Sequence, residues 1–352
     1  MNETTVVGKN FEWDDGKGLI VKNQAGVKRI SFLNPETSWT SSYESVSLTT
    51  VGPGFPVSGM NEKGLTVEAL VNSADHPDTP LSPLSEVFVS LEALQYILDK
   101  TATIDEVEDL LADFNMVQVI IALHFFVCDA HDQCLVIERE NGVTRLTRLD
   151  PDFKVLANNP YHYDRDLYGE QDVLHARDAS LFDSSPRRFA ALARLSKSSD
   201  PTSSEDVFSW LDTSKTEELI QWQIVWQRQP LKLNFKTHLD KGSPARSFTL
   251  DLFKTREACK NAPDVASIER GDLKFQAYNE EDVQKVKTRL LELVTNQGSL
   301  FQSSKTQFNP SAMPERDIHG PGALTASKSK NVGEVDLISA IVAHTQSSTC
   351  KN

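Results

Sequence analysis

The heptapeptide GMNEKGL, residues 59–65, says more about the fold of this chain than any other stretch. Its glycines and asparagine beside charged residues predict a tight turn, and the apolar residues that follow, 65–70, predict a buried strand. Three other segments place polar residues at the ends of apolar stretches, where core packing alone does not require them. They are GKNFEW at 8–13, LANNP at 156–160 and SSPRRF at 184–189.

The first of these segments brings opposite charges to the end of a predicted strand. Val6 and Val7 lead through Gly8 to Lys9 and Glu12, which stand three residues apart. Such a pair near a strand end is more often a solvated ion pair than a catalytic one. Its interpretation therefore depends on the other segments.

The other two segments carry amides and arginines. Asn158 and Asn159 follow a predicted strand and precede Pro160, and a simple turn cap is the alternative for Asn158. Arg187 and Arg188 fall in the first turn of a predicted helix, where a cation is unfavourable to the helix dipole. We therefore expect these arginines to be used elsewhere, with a plain surface position as the alternative for Arg188.

The order of the predicted elements indicates the fold class. Strands come first, then a pair of helices, then more strands and helices, without the alternation of βαβ units. This order predicts an α+β fold with antiparallel sheets. The predicted strands are 19–21, 45–48, 65–70, 117–127, 134–138, 144–147, 155–156, 220–226, 231–236 and 247–252, and the predicted helices are 84–99, 103–111, 185–195 and 205–211.

The character of the chain changes near its C-terminal end. We expect one domain over residues 1–278 and a C-terminal extension over 279–352. The extension combines a helix at 279–295 with a Ser-, Gln-, Asn-, Pro- and Gly-rich stretch at 299–331 that is too poor in apolar residues to fold alone, and a short amphipathic helix at 334–344.

Composition argues against several functions. A net charge of -14 over 352 residues leaves no basic surplus to neutralise phosphates, so nucleic-acid binding is not expected. No apolar run approaches the roughly 20 residues of a membrane span. No Cys or His spacing indicates a metal or a cofactor. His162 and Asp164 are expected in a solvated loop, and His124 as a hydrogen-bonded core residue.

The cysteines leave two interpretations open. Cys128 and Cys134 flank a short segment and could face each other across a hairpin as a disulfide, which would suggest an oxidising compartment. We expect instead two buried free thiols. No signal peptide is visible, which by itself indicates the cytoplasm, although we expect below that the N-terminal segment is incomplete.

The four segments, in this order, resemble the choloylglycine hydrolase family, which includes bile salt hydrolases and penicillin V acylases. The resemblance spans roughly residues 6–255, and GMNEKGL is its most specific part. Members are N-terminal-nucleophile (Ntn) hydrolases. The resemblance implies a four-layer αββα sandwich of two antiparallel sheets, and hydrolysis of a linear amide C–N bond in a small-molecule acyl amide.

The resemblance also implies roles for four candidate catalytic residues. The family's nucleophile is the thiol of a cysteine that becomes residue one of the mature chain, and its own α-amine serves as the base. By resemblance, Glu12 holds that amine and Lys9 is the cation beside the thiolate. Asn158 supplies a hydrogen bond to the oxyanion, and Arg188 is the second cation.

The chain departs from the family pattern in three ways. Glu12 stands where the family has Asp, and Lys9 where it has Arg, which loses bidentate contacts. The cysteine should lie well before Lys9, ahead of Met1, whereas Thr4 and Thr5 fall where the family has ordinary strand residues. We expect an incomplete N-terminus rather than a lost nucleophile. The alternative is a non-catalytic homologue that binds amphipathic acyl amides. The sequence does not choose among bile salts, penicillin V, N-acyl homoserine lactones and fatty acyl amides, and it leaves a homo-oligomer open.

Overall fold

The described part of the structure, a computed structural model, contains most of the N-terminal three quarters of the chain. It comprises residues 5–13, 16–32, 36–73, 87–112, 115–118, 121–140, 143–168, 185–198, 201, 203–238, 245–251, 264–268, 274–278, 281–282, 284–285 and 288. Described positions between 281 and 288 are helical, within the predicted helix 279–295. The rest of that helix and the predictions for 299–331 and 334–344 lie outside the described residues.

Two antiparallel sheets dominate the described residues. A nine-stranded sheet has the order β12-β11-β10-β7-β6-β5-β2-β16-β17, and a four-stranded sheet has the order β1-β13-β14-β15. Two small pairs, β3-β4 and β8-β9, accompany them. The strands are β1 Val6–Glu12, β2 Leu19–Asn23, β3 Lys28–Ile30, β4 Ser38–Thr40, β5 Ser45–Thr49, β6 Ser58–Asn61, β7 Thr66–Val71, β8 Val87–Val89, β9 Asn115–Val117, β10 Leu123–Cys128, β11 Cys134–Glu140, β12 Val143–Arg148, β13 Ile220–Arg228, β14 Leu231–Thr237, β15 Arg246–Asp251, β16 Asp264–Ser267 and β17 Gln276–Ala277.

Helices flank these sheets. None of the described helices has the length and apolar character that crossing a bilayer needs. Their bounds are α1 Ser90–Lys100, α2 Ile104–Ala112, α3 Tyr161–Leu167, α4 Ser185–Ser198 and α5 Ser204–Asp212, with a 3-10 turn at Pro151–Phe153.

The main core lies between the two sheets. Val7, Trp222 and Trp226 of the four-stranded sheet pack against Ile20 and Leu48 of the nine-stranded sheet. Strand residues alternate between faces, so each sheet also presents a second apolar face that needs a cover.

Helices provide those outer covers. Leu94 of α1 packs with Phe125 on the far face of the nine-stranded sheet. On the far face of the four-stranded sheet, Leu211 of α5 packs with Val225. Helices α3 and α4 form a further apolar cluster with Val136, whose side chain lies on the opposite face of β11 from Phe125's cluster. The described layers are therefore helix, sheet, sheet and helix, the αββα arrangement implied by the resemblance.

The GMNEKGL segment fixes the β6–β7 turn against α1. The Asn61 side chain accepts the N–H groups of Lys63 and Leu65, both at 3.1 Å, and donates to the carbonyls of Leu98 and Thr101 at 3.0 and 2.7 Å. It therefore satisfies carbonyls that the end of α1 leaves without a helical partner. Gly64 has φ +83°, which a side chain would strain. The motif acts as a joint between sheet and helix.

Most of the predicted elements are confirmed, and three are not. The predicted helix 84–99 begins only at Ser90, because Val87–Val89 forms the parallel strand β8 beside β9. The predicted strand 117–127 is interrupted: the Gln118 side chain donates to the Leu123 carbonyl at 2.7 Å and accepts its N–H at 3.0 Å. The Gln118 amide thus takes both backbone hydrogen bonds that a neighbouring strand would otherwise make with Leu123. Residues 155–156 lie in no strand.

The two expected free thiols are a disulfide. Cys128 and Cys134 are direct partners in the β10–β11 hairpin, and their Cα atoms lie 4.2 Å apart. The expectation was wrong because the hairpin register, which sequence spacing alone does not give, places the two side chains opposite each other.

Candidate active site

The strongest link between the sequence motifs is a direct contact between Arg188 and Asn158. Arg188, in the first turn of α4 and buried, donates from Nη2 to Asn158 Oδ1 at 2.5 Å. The Asn158 Nδ2 donates to the Val71 carbonyl at 3.0 Å. An asparagine amide carries two N–H donors, so one remains beyond the Val71 bond. The arginine therefore has the use that its unfavourable place in the helix suggested, and both side chains of the pair are fixed.

Glu12 lies within the electrostatic reach of the same arginine. It follows a register shift at the end of β1, and its carboxylate accepts the N–H and the hydroxyl of Thr216 at 2.7 and 3.0 Å. Burial raises the pKa of Glu12 above its ordinary value, while the Thr216 hydrogen bonds and the charge of Arg188 act to lower it. Glu12 is thus held facing a segment that joins α5 to β13, with Arg188 close enough to stabilise its charge.

Lys9 spans the space between the two sheets. Its ammonium donates to the carbonyls of Val57 and Ala69 at 2.7 and 2.5 Å, and Glu68 Oε2 lies 3.5 Å away. Burial lowers the pKa of Lys9, and the charge of Glu68 opposes that change. An ammonium has three hydrogens. The two carbonyls accept two of them, and Glu68 Oε2 is a charge partner that accepts no hydrogen bond.

Glu68 is a site residue that the sequence did not reveal. It is buried on β7, and its Oε1 accepts from Ser58 Oγ and from Trp226 Nε1, both at 2.8 Å. Burial raises the pKa of this carboxyl to about 7, against the opposing charge of Lys9. An acidic residue inside a predicted buried strand was the available signal, and the sequence pattern assigned it no role.

One edge of β7 brings Lys9 and Asn158 together. Strand β6 stops pairing with β7 at Ser58, so the carbonyls of Ala69 and Val71 extend beyond it on the same edge. Carbonyls two residues apart on a strand point the same way and lie about 7 Å apart. Lys9 takes the first carbonyl and Asn158 takes the second. All four predicted residues therefore belong to one region. Arg188 contacts Asn158 and interacts electrostatically with Glu12, and Lys9 and Asn158 bind neighbouring carbonyls on the same edge of β7.

Two further residues considered in the sequence, His124 and Asp164, are both buried. His124 is fully buried, and its Nδ1 lies 3.1 Å from Glu138 Oε1, as expected of a hydrogen-bonded core histidine. The expected solvated loop is wrong for Asp164, which is buried in α3 and accepts from Ser185 Oγ and Asn159 Nδ2. No cluster of potential metal ligands occurs within the part of the chain that the structure describes.

The arrangement offers a hydrogen-bond donor for developing negative charge, two cations and two carboxylates. Such donors, fixed before reaction, are the means by which enzymes stabilise the oxyanion of acyl transfer. The described cysteines, Cys128 and Cys134, form a disulfide and supply no thiol. The region is therefore suited to bind and polarise an acyl carbonyl.

Comparison with known proteins identifies the family of the chain. The model of the linear amide C-N hydrolases, choloylglycine hydrolase family, matches residues 2–194, more than half of the chain. No curated protein sequence matches the chain. Penicillin V acylase from Agrobacterium tumefaciens has a similar structure, with a TM-score of 0.61 and 21% identity over 75% of this chain and 88% of that one.

Two structures of the conjugated bile acid hydrolase from Clostridium perfringens are also similar. A mutant gives a TM-score of 0.58 at 16% identity, covering 78% of this chain and 93% of the hydrolase. A second variant gives 0.58 at 15% identity, covering 79% and 94%. At these identities the structural likeness establishes the Ntn-hydrolase fold. Taken with the family match over residues 2–194, it shows that the chain belongs to the choloylglycine hydrolase family of linear amide C-N hydrolases.

Proposed function

We propose that this protein hydrolyses a linear amide C–N bond of an acyl amide, with Asn158 as the oxyanion donor. The observation that supports the proposal most is the 2.5 Å hydrogen bond from Arg188 to Asn158 Oδ1. It fixes the orientation of the amide and draws electron density from it, which strengthens its remaining N–H as a donor. A fixed donor of this kind contributes about 3–4 kcal/mol to transition-state binding.

The reaction that the family implies uses these residues in sequence. A thiol sulfur attacks the amide carbonyl, and the oxygen of the tetrahedral intermediate accepts from Asn158. The C–N bond then breaks, the amine leaves with the proton that the thiol gave up, and water hydrolyses the thioester to acid and thiol. Glu12, held by Thr216, is placed in this proposal against the α-amine that moves the proton. Arg188 stabilises both Glu12 and Asn158.

One observation favours the alternative of a non-catalytic binding protein. The Lys9 ammonium already donates to the carbonyls of Val57 and Ala69 and lies 3.5 Å from the Glu68 carboxylate. A cation engaged in this way has at most one N–H left for a thiolate. In the hydrolase proposal, Lys9 therefore acts through its charge and as an anchor of the β7 edge.

The test starts from the genomic sequence directly upstream of Met1. An in-frame Cys-Thr or Cys-Ser followed by a strand-like segment defines a longer form, which is produced with that cysteine exposed. We expect this form to release aminomethylcoumarin from its octanoyl amide, and Asn158→Ala to lower kcat by about 10²–10³-fold. Ser198→Ala, at the exposed end of the same helix as Arg188, is the matched control and should leave kcat unchanged.

The same substrate decides between the two functions. Calorimetric binding of an octanoyl amide to the folded protein without release of amine, in the longer form as well, would overturn hydrolysis and support the binding protein. A closed reading frame upstream of Met1, together with an abundant folded protein, would also overturn hydrolysis.

A further inference from the structure

We infer that Ser185 and Asp164 are positioning residues that hold Asn158 in the geometry its proposed oxyanion role requires. The link to catalysis rests on the proposed function, whereas the geometry rests on contacts between described residues. Residues 154–157, which lead to Asn158, belong to no strand. No sheet ladder therefore fixes the backbone on which Asn158 stands.

A serine hydroxyl takes the place of that ladder. Ser185 Oγ accepts the backbone N–H of Asn158 at 2.8 Å and that of Asn159 at 2.9 Å. It donates its own proton to Asp164 Oδ2 at 2.7 Å. A hydroxyl has one donor and two acceptor sites, so all the hydrogen-bonding capacity of Ser185 is used on this task. Ser185 is fully buried.

Asp164 closes the arrangement into a ring. Its second oxygen accepts from Asn159 Nδ2 at 2.9 Å, and Asn159 Oδ1 accepts from Ser73 Oγ at 2.5 Å. The Ser73 N–H in turn donates to the Asn158 carbonyl at 2.7 Å. We call Ser185, Asp164 and Asn159 with these hydrogen bonds the clamp. The clamp ties the Asn158 backbone to the residues that follow β7, whose end also receives the Asn158 side chain.

Two residues of helix α4 form hydrogen bonds with Asn158. Ser185 is its first residue and holds the backbone N–H, while Arg188, three residues on, holds the side-chain oxygen. Residues three apart share one face of a helix. The LANNP and SSPRRF segments are thus the two halves of a single device. A movement of the first turn of α4 would shift the backbone and the amide of Asn158 together.

The test measures the clamp without any turnover. In the full chain, Ser185→Ala should accelerate amide hydrogen exchange at Asn158 and Asn159 about fivefold, because each buried hydrogen bond lost is worth about 1 kcal/mol. It should also shift the side-chain NH₂ resonance of Asn158, assigned in asparagine-labelled protein by its loss in Asn158→Ala. Ser185→Thr, which keeps the hydroxyl, should restore both signals.

Two further variants keep the test decisive. Asp164→Asn replaces one carboxylate oxygen, which accepts from Ser185 or Asn159, with an NH₂ group that cannot accept. This variant should therefore reproduce the shift of the Asn158 resonance seen in Ser185→Ala, even if the alanine variant fails to fold. Ser198→Ala at the other end of α4 should change neither signal. Wild-type exchange at Asn158 in folded Ser185→Ala would overturn the inference, and so would equal acceleration throughout β13, which would mean a loss of global stability.

The outcome is separable from that of the proposed function. Hydrolysis with unchanged exchange and resonances in both variants would overturn the clamp and leave the hydrolase standing. The expected shifts in a protein that never releases amine would support the positioning of Asn158 and overturn the hydrolase.

Discussion

Replacing Lys9 with methionine removes a buried cation from between the two sheets. The Ala69 carbonyl loses its ammonium partner, and Glu68 keeps Ser58 and Trp226 on one oxygen but has nothing opposite the other. Val57 still accepts from the Ala69 N–H at 2.9 Å. Breaking a buried pair in this way costs about 3–5 kcal/mol, since Glu68 must either bury an uncompensated charge or take up a proton. We expect that loss in the free energy of unfolding at pH 8.

A second substitution should return part of this loss. Glu68→Gln made on top of Lys9→Met removes the orphaned charge, and the Gln oxygen can still accept from Ser58 and Trp226. What remains is chiefly the unpaired Ala69 carbonyl, which costs about 1–3 kcal/mol. The double variant should therefore be about 2 kcal/mol more stable than Lys9→Met alone. At pH 5 the difference should shrink, because the Glu68 carboxyl of the single variant is then protonated.

The assay is urea unfolding followed by tryptophan fluorescence, with the slope m compared between variants. Arg145→Met is the matched control, because Arg145 pairs with Glu140 at 2.5 Å on the exposed edge strand β12 and should contribute less than about 1 kcal/mol. Additive losses, in which Glu68→Gln destabilises the Lys9→Met variant as much as it destabilises the wild type, would refute the buried ion pair.

Three other predictions concern stability. Burial raises the pKa of Glu92, which accepts the Phe32 N–H at 2.7 Å, to about 7. Between pH 4.5 and 7 the native state therefore holds a proton that the unfolded chain releases, so the free energy of unfolding should fall by up to about 3 kcal/mol as the pH rises through this range. Glu92→Gln should flatten that part of the stability–pH curve. Replacing both Cys128 and Cys134 with alanine should cost about 2 kcal/mol, measured by urea unfolding, and unchanged stability would count against the disulfide. Deleting residues 299–352 should leave the thermal transition of the remaining chain cooperative, whereas loss of all folded protein would show that the proposed extension closes the core.

The sequence predicted elements best where a local pattern decides them. The helix at 185–195 follows from Ser185 and Pro186 at its start and its apolar spacing, and it is confirmed. The strand predicted over 117–127 failed because the Gln118 side chain pairs with the Leu123 backbone. Such substitution of a side chain for a strand partner depends on how the chain folds back, and no periodicity records it.

In the candidate site, too, the sequence indicated the residues that local motifs mark and missed those that depend on tertiary contacts. Asn158 and Arg188, which the structure brings into contact, could be singled out because each stands in a short motif with an unusual polar residue at the end of an element. Glu68 was missed because β7 is buried on both faces, so alternation does not separate an interior position from a solvent-facing one. The buried role of Asp164 was missed because it depends on Ser185, which lies 21 positions away in sequence.

Lys9 and Asn158 also have a structural role at the end of β7, where no strand among the described residues pairs with its outer edge. Without Lys9 and Asn158, the carbonyls of Ala69 and Val71 would form an open strand edge, which proteins generally avoid. A lineage that ceased to cut amides would still be bound to keep both side chains, since their loss would harm folding before it harmed chemistry. In such a chain the two side chains would serve the fold alone.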